Sequence, residues 1–480
     1  MKKLFIFLAA CVISITGVAQ SLSMWNNWGM DTVWVSGEDN EYLNIKMLPI
    51  LGGQTYQIFT PLGGEPVPEF TWLLSPQGND SWDGQTLSTP FKTLNKLATV
   101  IQAGDTALLR GGTYYFNEQQ VWDDVDGTSS DTVKVWGYPG ETPIFTKSGS
   151  YTPPTPVISA RPLIAFVSTV YNYWRDIEIS GYEQEADGDG WNGIYLRSGN
   201  DHNVFERINI HDGGGGMYVY NSGFNTFINC DFYRNEDPYT TNDYDNADGI
   251  AIAQNTDVND TNWVYGCRFW GNSDDGIDFF NNAGFVFVDN CWSFHNGFIR
   301  DTWLEGGNGI GFKLGSGGTG TEADTIRQIL NCISFGNRSS GFGEEEITST
   351  ASIYNSLAIY NATAGTGSSW GAGFEFNSST IGHWIKNNIS YGNNDDVDGP
   401  TNQTNVEYND WDIPVTIDDD IWVSIDTTLF DDPRLTDGSL PYATTLFYPA
   451  TGEPIIDAGI DIGFPFNGSA PDLGPKESNY

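Results

Sequence analysis

Four aspartates and one lysine fall at related places in a repeating pattern. Asp248 ends Asn246-Ala247-Asp248, and Asp274, Asp275 and Asp278 lie within Asn272-Ser273-Asp274-Asp275-Gly276-Ile277-Asp278. Lys313 follows in Gly309-Ile310-Gly311-Phe312-Lys313. Carboxylates gathered on one patch raise each other's proton affinity unless a cation relieves them. An all-oxygen, carboxylate-rich donor set suits calcium better than zinc, and the four histidines are scattered. An amine beside such a cation can act as a general base if the cation and burial lower its pKa. One substrate fits that chemistry. A uronic acid unit in a polysaccharide has a weakly acidic C5 hydrogen next to its carboxylate. A cation on that carboxylate would stabilise the charge left when the proton departs, and the C4–O bond would then break by β-elimination. No Ser-His-Asp or Cys-His arrangement offers a competing nucleophile.

The register of these residues comes from seven short strands, each opened by glycine. They begin at Gly193, Gly216, Gly249, Gly276, Gly309, Gly341 and Gly373. Residues in register form outward columns on a solenoid. The residue before each glycine is Asp248, Asp275 and Asn308 in three successive coils, so Asp248 and Asp275 are expected side by side. Asp278 and Lys313 point the same way. With Gly309 as origin, the Lys313 Cα is expected about 8 Å from that of Asp278.

A second signature alternates with the first. It runs from Asn229 to Asn235, Gly266 to Asn272, Asn290 to Asn296, Asn331 to Asn337, Asn355 to Asn361 and Asn387 to Asn393. Every copy ends in asparagine, which tolerates left-handed turns and stacks its amides in ladders. Two strand signatures per irregular repeat, with asparagine ladders, predict an all-β parallel β-helix. Cys230, Cys267, Cys291 and Cys332 share one position, which Ser356 and Asn388 continue. That column reads as small buried side chains, not as a metal or redox site.

Composition bounds the rest. The net charge of −41 argues against nucleic-acid and anionic-membrane partners. It fits a polyanionic substrate only if a divalent cation intervenes. Residues 1–19 have the charged start and apolar core of a secretory signal peptide, so the protein is expected to be secreted. The apolar run is too short to favour a membrane span, and Leu8-Ala9-Ala10-Cys11 offers a less favoured lipoprotein reading. Residues 20–74 form an N-terminal segment or small β cap, with strand-like runs at Thr32–Val35 and Thr55–Phe59. Residues 75–480 form the β-helix domain. Thr89 and Pro90 predict the cap and first position of a short N-terminal capping helix, with Phe91, Leu94, Leu97, Ala98 and Ile101 on one face. A monomer is expected.

The segments Asn246–Ala251, Asn272–Phe280 and Asn308–Gly315 resemble polysaccharide lyase family 9. The resemblance implies a right-handed parallel β-helix and a calcium-dependent pectate lyase. It carries the calcium ligands onto Asp248, Asp274, Asp275 and Asp278, and the base onto Lys313. Arg338, beside the following coil, is a candidate for a substrate carboxylate. The same chemistry would serve alginate or rhamnogalacturonan. A glycosidase using paired carboxylates, or a non-catalytic carbohydrate-binding solenoid displaying Tyr195, Tyr218 and Tyr220, remains open from the residues alone.

Overall fold

The structure is a computed structural model. It describes residues 67–152, 161–185, 192–240, 244–316, 325–345, 347, 350–363, 371–376, 382–399 and 405–479, and the backbone of five strands between residues 11 and 59. The reading of residues 1–19 as a leader lies largely outside these. Met30–Val35, Tyr42–Met47 and Gln54–Phe59 pair antiparallel.

One sheet of 20 strands and one of 10 carry the main body. A single coil uses three strands, as in Thr261–Tyr265, Arg268–Trp270 and Ile277–Asp278. The first two join the larger sheet and the third joins the smaller. Each pairs in parallel with its counterpart one coil away. The result is a three-faced parallel β-helix running from Trp72–Leu74 to Val406–Glu407.

Period-two alternation builds the interior. In the 10-stranded sheet, Ile194, Met217, Ile250, Ile277, Phe312, Phe342 and Phe374 stack inward as one column, each at most 2% exposed. The glycine before each is kept by crowding. A Cβ on Gly276 would lie 2.0 Å from Ser293 Oγ, and one on Gly311 would lie 2.2 Å from Ser334 Oγ.

This column corrects the expected register. Ile277 pairs with Phe312, so the fifth coil opens at Gly311, not Gly309. Gly309 sits in the preceding turn with φ +75°. The residue in line with Asp248 and Asp275 is therefore Ile310, not Asn308. Lys313 lies directly opposite Asp278, one strand spacing of about 4.8 Å away.

The second signature divides its labour. Asn229, Asn290, Asn331, Asn355 and Asn387 adopt left-handed φ, with Gly266 doing so in their column. The terminal asparagines form the ladder. Asn235, Asn272, Asn296, Asn337 and Asn361 each donate Nδ2–H to the Oδ1 of the next. The cysteines are buried and free, and each backbone N–H bonds the next side chain, through Ser356 to Asn388.

The N-terminal helix is shorter than expected. It spans Leu94–Ala98, with Thr93 as its cap in place of Thr89. Phe91 instead bridges Leu74 in parallel, so the chain here is still extended. Leu94 and Leu97 join the core. Beyond residue 407 the chain lies on the outside of the larger sheet. Trp422, Phe430, Phe447, Ile455 and Leu473 there cover Trp292, Phe294, Ile333, Phe335 and Leu357. Among the described residues no helix is long and apolar enough to cross a membrane.

Candidate active site

The outward column of the 10-stranded sheet reads Tyr195, Tyr218, Ala251, Asp278, Lys313, Gly343 and Glu375, each opposite the next. Asp248 and Asp275 stand where the turn enters this sheet, one coil apart. Oxygens of Asp248, Asp275 and Asp278 come within 4.8 Å of one another. Asp274 is beside that trio and is buried.

Backbone amides orient the acids. Asn308 N–H donates to Asp274 Oδ1 at 2.6 Å, and Ile310 N–H donates to Asp275 Oδ1 at 2.7 Å. Asp275 N–H donates to Asp248 Oδ1 at 3.2 Å. Each bond crosses from one coil to the next, so coil stacking fixes the carboxylate positions.

Lys313 is only 5% exposed. Its Nζ lies 2.9 Å from Asp275 Oδ2, 3.6 Å from Asp278 Oδ2 and 3.4 Å from Glu345 Oε2. Burial alone would lower its pKa, but Asp275, Asp278, Asp274 and Glu345 outweigh burial and hold it well above the ordinary value. Burial, then neighbouring carboxylates, holds Asp248 and Asp274 well above the usual range. Burial pushes Asp278 up to about 7, against the pull of Lys313.

These acids fit a hard dication. Asp278 Oδ1 is buried and accepts no hydrogen bond, and Asp275 Oδ2 has the Lys313 ammonium beside it. The donors are all oxygens and adjoin the outward face of the sheet, which suits calcium over softer metals.

Two neighbours bear on the site. Glu345 reaches Lys313 because it lies two residues after Gly343, which stands opposite Lys313, and so shares the outward face, while the facing strand Phe312–Ser316 carries a bulge. Gly315 at φ +111° accommodates it. Sequence reasoning did not single out Glu345, although it stands at the same offset from Gly341 as Lys313 does from Gly309. Arg338 is turned toward the chain itself. It donates to the carbonyls of Gly307 and Asn308 at 2.7 and 3.2 Å and pairs with Glu305 at 3.3 Å. It thereby braces the hairpin closed by Phe298 and Glu305. Arg300 ties the same hairpin to Glu183, Asp212 and Glu236.

Residues 72–371 match the family described as Pel9A-like, right-handed β-helix region. Pectate lyase L of Dickeya chrysanthemi is 30% identical over 432 residues, which cover 85% of this chain and 90% of that protein. Pectate lyase PEL9 of Emericella nidulans is 27% identical over 416 residues, covering 80% and 93%. The crystal structure of pectate lyase Pel9A superposes with a TM-score of 0.68 at 28% identity, covering 85% of this chain and 96% of that one.

Proposed function

The chain belongs to the Pel9A-like family of right-handed β-helix polysaccharide lyases, and we propose that it cleaves pectate (polygalacturonate) by calcium-dependent β-elimination. The observation that carries this reading is Lys313 Nζ standing 2.9 Å from Asp275 within an otherwise acidic, outward-facing site. The substrate follows from the relatives named pectate lyases.

Asp248, Asp274, Asp275 and Asp278 are the residues to hold calcium. When bound, calcium supplies positive charge for a uronate carboxylate and for the charge developing beside it. With the charge of those carboxylates offset, burial would lower the Lys313 pKa, and the neutral amine takes the C5 proton as general base. The C5–H electron pair becomes the C4–C5 double bond, and the C4–O bond breaks with its pair going to oxygen. That oxygen gains a proton from water, and Lys313 returns its own to solvent. Coil register aims the amine, because Lys313 and Asp278 occupy one outward column.

Export is part of the same proposal. The charged start and apolar core of residues 1–19 suit a secreted enzyme that meets its polymer outside the cell. An anchor at Cys11 is the less favoured variant.

Incubation with polygalacturonate, with and without calcium, tests the reading. Unsaturated ends should appear as ultraviolet absorbance only with calcium, and Lys313→Ala should abolish them. Undiminished release by that variant would refute the lysine base. Activity confined to alginate or rhamnogalacturonan would move the substrate and keep the chemistry.

A further inference from the structure

We propose that the outward face on the N-terminal side of the carboxylates is a substrate-chain subsite, in which Tyr218 and Tyr220 receive a sugar ring and Arg197 receives a uronate carboxylate. This rests on the lyase reading and gives the polymer a direction: along the solenoid axis, from Lys313 toward Arg197.

Register fixes the spacing. Tyr195, Tyr218, Ala251 and Asp278 are successive members of one column. Tyr218 is therefore two strand spacings, about 10 Å, from Asp278, and Tyr195 is about 14 Å away. Two residues further along the chain lie Arg197, Tyr220, Ala253 and Phe280, with Tyr220 and Ala253 still paired and Arg197 and Phe280 just past their strand ends. Tyr220 pairs with Ala253, which keeps the floor low between two exposed rings. Tyr220 is 36% and Phe280 38% exposed.

The rings are already fixed. Tyr195 and Tyr218 stack at 5.4 Å and 22°, and Tyr220 packs against both at 6.3 and 6.2 Å. Tyr195 is only 6% exposed, so it braces the other two and does not present itself to solvent. Rings ordered before binding lose little freedom when a sugar lands on them. Tyrosine suits that task, having an apolar face for sugar C–H groups and a hydroxyl for their oxygens. The platform and the acids share one field. Burial raises the Tyr218 hydroxyl pKa first, and Asp248 and Asp278 add to the rise.

Charge selects the direction. On the C-terminal side of Lys313 the column continues through Gly343 to Glu375 and Asp398, with Glu345 nearby. A polymer bearing a carboxylate on every unit is repelled there. On the N-terminal side Arg197 is exposed and in no ion pair among the described residues, although its charge reaches Asp123. It is a guanidinium suited to a planar carboxylate.

The test compares wild type with Tyr220→Ala, Arg197→Ala and the double variant on polygalacturonate and on short oligomers. KM for the polymer should rise about ten-fold in the double variant, with kcat moving less, and the loss should shrink as the oligomer shortens. Tyr115→Ala, an exposed tyrosine of the larger sheet, should leave both parameters unchanged. The same pair of substitutions in a Lys313→Ala background should reduce retardation in a polygalacturonate gel. If wild type eliminates but the double variant keeps its polymer KM, the subsite is overturned and the lyase reading stands. If wild type forms no unsaturated ends, the lyase reading falls. Gel retardation then decides the subsite alone, and equal mobility of the two variants overturns it.

Discussion

Lys313 and Asp278 face each other directly across one gap between coils, with the ammonium 3.6 Å from Asp278 Oδ2. Under the proposed function the lysine has two tasks, proton acceptor and neighbour to buried acids. Lys313→Ala should lower the elimination rate by about 10²–10⁴-fold, read as ultraviolet absorbance. Lys313→Arg should not restore it, since a guanidinium stays protonated. Lys313→Ala should also lower Tm in chelator, because it strips charge compensation from Asp275 and Asp278. Added calcium should shrink that deficit.

Under the proposed function, calcium would displace protons from this site. Burial pushes Asp278 up to about 7, and burial with like charge holds Asp248 and Asp274 above the usual range. Raised carboxyls are protonated at lower pH, so affinity should fall as pH drops below about 7 and binding should release protons. Calorimetry in buffers of different ionisation enthalpy would measure that release. Asp248→Asn or Asp278→Asn should weaken calcium at least about ten-fold and cancel most of its effect on Tm. Unchanged affinity in both variants would remove these residues from the site.

Much of this site was legible because a solenoid turns sequence offset into spatial neighbourhood. The glycine strands gave Asp248 beside Asp275, and the terminal asparagines gave the ladder. The slip occurred at Asn308-Gly309-Ile310-Gly311-Phe312, where two glycines two residues apart both satisfy alternation. Only the inward stack resolves them, since Phe312 must lie between Ile277 and Phe342. Glu345 was within reach of the same reading, since alternation from Gly343 puts it on the outward face beside Lys313, but nothing in its type or spacing set it apart from the other acids. The role of Arg338 was hidden for a different reason. Its partners lie on an inserted hairpin whose path no repeat dictates.

That hairpin makes Arg338 a test of indirect support. It holds the carbonyl of Asn308, whose N–H holds Asp274 Oδ1. Arg338→Ala should therefore raise the calcium concentration needed for half-maximal activity several-fold. KM for polygalacturonate at saturating calcium should change less than about two-fold. A large rise in that KM with unchanged calcium demand would instead make Arg338 a substrate contact.

The ladder should be sensitive at its middle. Asn337 accepts from the N–H and the Nδ2–H of Asn296 and donates to Asn361 Oδ1 and to the Ser293 carbonyl. Asn337→Ala orphans these buried groups, each costing about 1–3 kcal/mol. Denaturant melts should show a marked loss for Asn337→Ala. Replacement of Asn394, beyond the ladder on an exposed turn, should have little effect. Equal stability of the two variants would mean that the amide stack is ornamental.

Asp237 offers a pH-dependent test outside the proposed calcium ligands. It is buried at the foot of the loop before Asp248, and burial pushes its pKa up to about 7 against bonds from Thr240, Asn246 and Ser273. Its Oδ2 has no hydrogen-bond partner. An unfolded aspartate titrates near 3.9, so between about pH 4 and 7 the folded state binds the extra proton. Stability from this group is therefore full at low pH and declines as pH rises toward 7, with no further loss above it. Asp237→Asn removes the charge while keeping an acceptor for Ser273. It should raise stability at pH 8 by on the order of 2–4 kcal/mol, a few degrees of Tm, and leave it nearly unchanged at pH 4. A variant that melted at the wild-type temperature at both pH values would mean that Asp237 is solvated in the folded chain.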